Sequence, residues 1–287
     1  MPKKSGTGAR KTKARSASRA RSAEPAIQSE RQANSQTDTL RRLYAALLRC
    51  RRVQEQLQSV FGSATANYDI AIGHEAITVG AAAELTSSDT LAASPRNLAA
   101  QLAHRMPLRE LFARNGASSV VRRACAVPED PFHAGVGLAL ARKLEQKRGV
   151  VLAVCAQRHP SLAAWRDGLQ FAVNHKLPII FVIENGIEPH EFDAGHLTAI
   201  SFMVRDHEFP GIIVDGSDVV AVWRVVQESV HRARSGLGPT LIDCRTNAAR
   251  DPLAHLEHYM RGRNLWDESW QQQLARDIAA ELEQALL

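Results

Sequence analysis

A chain of 287 residues, 45% of them hydrophobic, is long enough for one large domain or two small ones and can bury a substantial core. It contains no apolar run near the roughly 20 residues that a membrane helix needs, and its N-terminus lacks the apolar segment of a secretory signal. None of its four cysteines forms a C-x-x-C pair, which argues against a disulfide framework or zinc knuckle and favours a reducing, cytoplasmic location.

The positive charge of the chain is concentrated at its N-terminus. Residues 1–22 contain no acidic residue and eight basic ones: Lys3, Lys4, Arg10, Lys11, Lys13, Arg15, Arg19 and Arg21. The formal net charge of the whole chain is +6, so the remaining residues carry 6 minus 8, a net charge of −2. Because residues 1–36 have too little apolar area to offset chain entropy, we predict a disordered basic tail at 1–36 and a folded domain at 37–287.

Two roles remain open for this tail. Clustered lysine and arginine bind phosphates without base specificity, so the tail could tether the chain nonspecifically to nucleic acid or to another acidic surface. It contains no aromatic residue on which bases would stack. The alternative is a tail that is simply solvated.

Helical periodicity predominates in the first part of the folded region. Thr39 is a suitable N-cap, and the apolar spacing after it predicts an amphipathic helix over 40–61. Further helices are predicted over 75–85 and 97–114, and the small residues of the former indicate close packing against another element. A lone Gly-x-Gly at 135–137 lies in an alanine-rich helical pattern, which favours close helix packing over a phosphate-binding loop.

From residue 149 onward, continuous apolar runs alternate with amphipathic segments. Strand–helix–strand repetition implies right-handed crossovers and a parallel sheet, so the predicted fold class is α/β. The apolar runs predict buried strands near 150–155, 179–183, 211–214 and 240–244. The other segments predict helices over 161–175, 218–235 and 251–287.

Besides the opening helix segment Leu43–Leu57, which resembles the first helix of the same family, four stretches in register carry a family resemblance: Ile72–Leu85, His175–Gly186, Val214–Thr246 and Asp251–Trp270. They resemble the alpha subunits of the thiamine-diphosphate-dependent pyruvate, branched-chain 2-oxo acid and acetoin dehydrogenases. The first is similar to that family's Ile-Gly-Gln-Glu-Ala segment and the second to its second core strand. The resemblance extends over roughly residues 38–287.

The resemblance implies a doubly wound sheet of the thiamine-diphosphate-binding type. In that family the alpha subunit holds the diphosphate and Mg²⁺, and a beta subunit supplies the glutamate that activates the cofactor. Thiamine diphosphate and Mg²⁺ are therefore the cofactors that the resemblance implies. It also implies an oligomer, either with a beta-like subunit or as a homo-oligomer, and no membrane partner is expected.

The residues that would hold the metal differ from the family pattern. The family places Gly-Asp-Gly after its first core strand and Asn-Asn after the second, and Mg²⁺ prefers such carboxylate and amide oxygens. Here Gln157 stands at the aspartate position, and Gly186 follows Asn185 at the position of the metal-binding asparagine. Ser161 replaces a further asparagine. Unless it points into solvent, Arg158 adds a cation that repels Mg²⁺ by a few kcal/mol at roughly 4–5 Å.

Other functional segments of the family are also altered. Its Tyr-Arg-x-His-Gly segment corresponds to residues 95–99, where Arg96 remains available for phosphate contact and Leu98 replaces the histidine. Its histidine-containing loop has shortened to residues 245–250. The resemblance therefore leaves five vestigial cofactor-binding positions and no catalytic or metal-binding residue: Arg96, Gln157, Arg158, Asn185 and Gly186.

Other chemistry finds little support in the sequence. The histidine pairs at 190 and 196 and at 255 and 258 lack a cysteine or acidic constellation at metal-ligand spacing. Cys155 ends a buried strand and is interpreted as a core residue. We therefore predict a dehydrogenase alpha-subunit-like protein that is catalytically silent and acts as a structural or regulatory partner of a beta-like subunit. The alternatives are an active decarboxylating enzyme with a divergent cofactor site and a phosphate-ligand or nucleic-acid binding protein.

Overall fold

The structure is a computed structural model that describes residues 36–62, 72–103, 106–113, 125–126, 131–156, 162–186, 210–247 and 249–286. The chain divides into two compact units, Met1–Arg42 and Leu43–Leu287. Apart from residue 36, the predicted basic tail lies outside the described residues, so its disorder and its binding role stay predictions. No helix in the described part of the chain is long and apolar enough to cross a membrane.

A six-stranded parallel sheet lies at the centre of the larger unit. Its strands have the order β2-β1-β3-β4-β6-β5, and every neighbouring pair is parallel. The bounds are β1 Thr90–Ala93, β2 Cys125–Ala126, β3 Val151–Ala156, β4 Ile179–Gly186, β5 Gly211–Asp215 and β6 Thr240–Thr246. The α/β fold and the four predicted strands, which are β3 to β6, are confirmed. Strands β1 and β2 were not predicted.

The described helices connect and flank these strands. The first, α1, covers residues 36–61. The others are α2 Glu75–Ala82, α3 Leu98–Ala103, α4 Leu108–Ala113, α5 Pro131–Leu144, α6 Leu162–Asn174, α7 Val219–Arg234, α8 Pro252–Arg261 and α9 Glu268–Leu286. Helix α7 begins where the sequence predicts, because the carboxylate of Asp218 accepts hydrogen bonds from the backbone amides of Val220 and Ala221.

Helices cover the sheet on both faces, which is the doubly wound arrangement. On one face, α2 and α7 pack on Val182, Ile242 and other aliphatic side chains of the central strands. On the opposite face, Trp165 and Leu169 of α6, together with residues of α5, pack on Phe181 and its neighbours. We call these the α2/α7 face and the α5/α6 face. Since both faces are buried, the central strands are continuous apolar runs rather than alternating ones.

Three predicted helix limits are wrong. Thr39 is not an N-cap, because α1 already includes residue 36. The single helix predicted over 97–114 is two helices, and the break is explained by Pro107, which disfavours helical backbone at the residue before it. The C-terminal region is also interrupted, because α8 ends at Arg261 with Gly262 as its C-cap. Asn264, shortly after it, adopts a left-handed φ of 56°.

The close helix packing predicted for the small residues of α2 is confirmed. A Cβ atom added to Gly80 would lie 2.9 Å from the carbonyl oxygen of Val219 and 3.1 Å from Cβ of Val222. Helix α2 therefore packs directly on the first turn of α7, with no room for a larger side chain.

Two glycines of α5 lie in opposite environments and give a matched pair of substitutions. A Cβ atom at Gly135 would lie 2.9 Å from Cβ of Ala153 and 3.1 Å from Cδ1 of Ile179, whereas nothing lies within 4 Å of one at Gly137. We expect Gly135→Ala to lower the free energy of unfolding by about 1–3 kcal/mol because the packed sheet cannot yield. Gly137→Ala should raise it by up to about 1 kcal/mol through helix propensity. Urea unfolding of both variants is the measurement, and equal effects would contradict the packing.

Candidate functional site at the carboxyl edge of the sheet

Polar side chains gather where strands β4, β5 and β6 end, the edge at which open α/β sheets form their binding crevices. Successive residues of a strand point to opposite faces, so the polar residues there divide into two groups. Glu184 and Thr246 continue the rows that face α2 and α7. Asn185, Asp243 and Arg245 continue the rows that face α5 and α6.

The carboxylate of Glu184 binds the turn after β1 to the end of β4. Its Oε1 atom accepts a hydrogen bond of 2.7 Å from the hydroxyl of Thr78 and one of 3.2 Å from the amide of Asn97. The other end of the Asn97 side chain accepts from the backbone amide of Ala100 at 3.0 Å and so caps α3. Arg96 is the sequence neighbour of Asn97, whose side chain contacts the end of β4.

A single carboxylate holds the polar residues of the α5/α6 face. Oδ1 of Asp243 accepts from Nδ2 of Asn185 at 3.2 Å, and its Oδ2 accepts from Nε of Arg245 at 2.9 Å. Asn185 and Asp243 are buried, while the side chain of Arg245 is 34% exposed. The three side chains form an array, Asn185–Asp243–Arg245, across two adjacent strands.

His74, at the start of α2, lies against the end of β6. The hydroxyl of Thr246 donates to the carbonyl oxygen of Asn185 at 3.2 Å and lies 3.1 Å from Nδ1 of His74. Both atoms of this pair can donate or accept, so the contact holds His74 against the end of β6 in either tautomer. Gly186, which pairs with Thr246 in the sheet, is the last residue of β4.

A buried ion pair supports this end of α2. The carboxylate of Glu75 accepts from Nε and Nη2 of Arg51 at 2.5 and 3.2 Å, from Gln54 at 3.0 Å and from the backbone amide of Gly73 at 2.9 Å. Arg51 also donates to Asp251 at 2.7 Å. Burial alone would lower the pKa of Arg51, but its bonds to the two carboxylates outweigh burial and raise that pKa.

The five predicted site residues have different outcomes. Asn185 and Gly186 lie together at the end of β4, and Arg96 is exposed on the turn after β1, with its backbone amide donating to Ser94. Gln157 and Arg158 lie outside the described residues, so their positions stay predictions; Ser161 lies outside them as well. Leu98, at the predicted histidine position, is buried in the core.

Cys50, Cys155 and Cys244 are free, buried cysteines. Cys155 is buried in the core of the α5/α6 face, which confirms its interpretation as a core residue. Burial raises the pKa of the Cys244 and Cys50 thiols, so both stay protonated near neutral pH. His255 lies 3.4 Å from the carboxylate of Asp218, whereas residues 190 and 196 lie outside the described part. Within the described ranges, no group of three or more His, Cys, Asp and Glu side chains could hold a metal ion.

Sequence reasoning missed the interactions that organise this edge. Glu184, His74 and Asp243 were not selected, although each lies in a stretch that carries the family resemblance, because the sequence does not show which side chains they contact. The signal was present in part: Asp243 is an acid inside an otherwise apolar strand, and a buried acid requires a partner. Its partners come from other strand positions, which become known only with the register.

Comparison with known proteins agrees with the fold. The sequence model of the family described as dehydrogenase E1 component matches residues 45–247. The alpha subunit of acetoin:2,6-dichlorophenolindophenol oxidoreductase from Bacillus subtilis is 26% identical over 228 residues, which cover 71% of this chain and 68% of that subunit. The alpha subunit of 3-methyl-2-oxobutanoate dehydrogenase from Mycobacterium tuberculosis is 27% identical over 293 aligned positions, gaps included. The alignment covers 87% of this chain and 78% of that subunit.

A third relative is similar over a shorter stretch. The chloroplastic pyruvate dehydrogenase E1 component subunit alpha-3 of Arabidopsis thaliana is 34% identical over 145 residues, which cover 41% of this chain and 33% of the relative. The names of these three relatives give three different substrates, so their similarity does not identify one substrate for this chain.

Proposed function

The chain belongs to the dehydrogenase E1 component family, and from this premise we propose that it is a catalytically silent, alpha-subunit-like member. It keeps the family's sheet and carboxyl edge but does not hold thiamine diphosphate through Mg²⁺. Its role is that of a structural or regulatory partner of a beta-like subunit.

The observation that carries the proposal is Gly186 at the end of β4. The family resemblance places a metal-binding asparagine at this position, and glycine offers no side-chain oxygen. The preceding Asn185 does not substitute for it, because successive strand residues point to opposite faces and the side chain of Asn185 lies on the α5/α6 face beside Asp243. The residues present at this strand end therefore do not fit the family's metal.

The neighbouring carboxylates support the same conclusion. Glu184 is engaged by Thr78 and Asn97, and Asp243 is engaged by Asn185 and Arg245. Using either as a metal ligand would break existing bonds. A Mg²⁺ ion near Asp243 would also meet the guanidinium of Arg245, whose like charge opposes it.

These side chains hydrogen-bond to one another across the carboxyl edge of the sheet. Glu184 connects β4 to α2 and to the turn after β1, and Asp243 connects β4 to β6. Each internal bond satisfies a group that a cofactor-binding edge would leave available. The edge is consequently suited to stability and assembly rather than to chemistry at a bound cofactor.

Calorimetric titration with thiamine diphosphate, with and without Mg²⁺, tests the silent assignment. We expect no magnesium-dependent heat with the full chain. Micromolar binding that a chelator abolishes would overturn the proposal and favour the active enzyme with a divergent site.

The partnership with a beta-like subunit rests on the relatives. Each of the three relatives described above is named as an alpha subunit. We extend that role to this chain, which shares the matched family region over residues 45–247.

Size-exclusion chromatography with light scattering at micromolar concentration tests the assembly. We expect a mass above the 31.5 kDa of one chain, either for the chain alone or after mixing with a beta subunit of the family. A clean monomer that also fails to bind any beta-like subunit would count against the partnership.

A further inference from the structure

The Asn185–Asp243–Arg245 array has unused hydrogen-bonding groups at both ends. Oδ1 of Asn185 is buried and has no hydrogen-bond partner. At the other end, Arg245 uses only Nε, and within the described part of the chain its Nη1 and Nη2 atoms bond to nothing. The array therefore offers an acceptor at its buried end and two cationic donors at its exposed end.

The unpaired acceptor is the unusual feature. Asn185 is 1% exposed, and buried side-chain oxygens in folded proteins nearly always accept a hydrogen bond because an unpaired one is costly. Its own amide nitrogen is already committed to Asp243, so a flip of the amide would only exchange one unpaired atom for another. A ligand that brings a hydrogen-bond donor to this oxygen would complete the array.

An apolar wall adjoins the array on the same face. Ile213 of β5 is the direct sheet neighbour of Asp243, and its side chain is 57% exposed. Paired residues of neighbouring parallel strands point to the same face, so Ile213 and Arg245 border the same area of surface. An aliphatic group held there would cover apolar surface that is otherwise in water.

We propose that this array binds a free aliphatic α-amino acid. The carboxylate of the ligand pairs with Nη1 and Nη2 of Arg245, the ammonium donates to Oδ1 of Asn185, and the side chain covers Ile213. Arginine forms two parallel bonds with a carboxylate, which suits the exposed end of the array. The ammonium supplies the donor that the buried amide oxygen lacks.

The charge of the array selects among small anions. Asp243 and Arg245 together carry no net charge, so the array does not favour a multiply charged phosphate or diphosphate. It matches a zwitterion, which is neutral overall but positive at one end and negative at the other. A 2-oxo acid has the carboxylate but carries an acceptor where the array needs a donor.

Entry of the ligand follows from how Arg245 is held. Its side chain is 34% exposed and is held to Asp243 by the single bond from Nε. Rotation of the guanidinium toward solvent opens the path to Asn185 while the bond partner Asp243 stays in place. The site forms as the ligand enters.

The test is calorimetric titration of the full chain with L-valine, in the absence of thiamine diphosphate. Two analogues each lack one of the two charged groups of L-valine. The 2-oxo acid with the same carbon skeleton lacks the ammonium, and isobutylamine lacks the carboxylate. We expect L-valine to bind and each analogue to bind at least about tenfold more weakly. Equal binding of L-valine and the 2-oxo acid, or no heat with L-valine at millimolar concentration, overturns the proposal.

Two variants assign the binding to the array. Asn185→Leu replaces the amide by an apolar group of similar size, and Arg245→Gln removes the cation; each should weaken L-valine binding at least about tenfold. Arg276→Gln, on the exposed side of α9, is the matched control and should bind as the natural chain does. Thermal unfolding checks that each variant is folded. Unchanged affinity in folded Asn185→Leu contradicts the assignment.

The inference does not rest on catalytic silence. Amino acid binding without thiamine diphosphate reports on Asn185 and Arg245, whereas the magnesium-dependent titration reports on Gly186 and the position of Gln157. Either result can fail while the other stands.

Discussion

The double variant Gln157→Asp, Gly186→Asn is expected to bind thiamine diphosphate in a magnesium-dependent way, and the natural chain is not. The two substitutions return one carboxylate and one amide oxygen to the positions at which the family resemblance places its metal ligands. Mg²⁺ requires oxygen ligands in near-ideal octahedral geometry, so losing two of them should cost more than the roughly 10–100-fold that outer partners contribute.

The measurement is titration of both proteins with thiamine diphosphate, with Mg²⁺ or with chelator. We expect the double variant to gain at least about tenfold in affinity with Mg²⁺ and to lose that gain with chelator. Each single substitution should give less than the pair, because the ligands act on one ion. Gly137→Asn, in the open face of α5, is the control for adding an asparagine where no strand ends.

Two outcomes would contradict this account. If the natural chain already binds in a chelator-sensitive way, the ligands were not lost. If the double variant is folded and still shows no magnesium-dependent binding, the missing ligands are not the cause, and Arg158 becomes the next substitution to test.

Much of the fold follows from the sequence because its strongest strands are long and apolar. Strand β3 reads Val-Leu-Ala-Val-Cys-Ala and β4 begins Ile-Ile-Phe-Val-Ile, and both are continuous apolar runs, whereas β6 contributes the apolar pair Leu241 and Ile242. Strand β1 is Thr-Leu-Ala-Ala, where alanine has low strand propensity, and β2 has two residues. Strand β1 forms by pairing with β3, and β2 forms by pairing with β1, which is tertiary information.

The candidate site was predictable only where it depends on local motifs. Asn185 and Gly186 follow an apolar strand, so their place at the carboxyl edge could be predicted. The bond between Asn185 and Asp243 depends on the register that pairs β4 with β6, and the bond between Glu184 and Asn97 joins residues that are distant in the sequence. No spacing rule gives either contact.

The largest loss of stability is expected from Arg51→Met. This change leaves the carboxylate of Glu75, whose side chain is 2% exposed, buried without its cationic partner. Breaking a buried ion pair from one side costs about 3–5 kcal/mol, because the remaining charge is uncompensated. Urea unfolding at neutral pH should show a decrease of that size in the free energy of unfolding.

The adjacent residue provides a matched control. Arg52 pairs with Glu55 at 2.9 Å, but both side chains are about half exposed, at 53% and 43%. Arg52→Met should lower the free energy of unfolding by no more than about 0.5 kcal/mol, since exposed pairs one turn apart contribute little. Equal effects of the two substitutions would show that burial of Glu75 is not what makes Arg51 important.

The decrease in the free energy of unfolding at acidic pH gives a further check on Arg51, through its partner Asp251. Burial would raise the pKa of this carboxyl, but the hydrogen bond from Arg51 and those from the backbone amides of Ala254 and Leu253 lower it. Because folding lowers this pKa, Asp251 contributes stability above the ordinary range of an aspartate, and the contribution is lost as pH falls through the lowered pKa. Arg51→Met removes one of the bonds that lower the pKa. We therefore expect the variant to lose less stability than the natural chain over the same fall in pH, and an unchanged slope would contradict this role of Arg51.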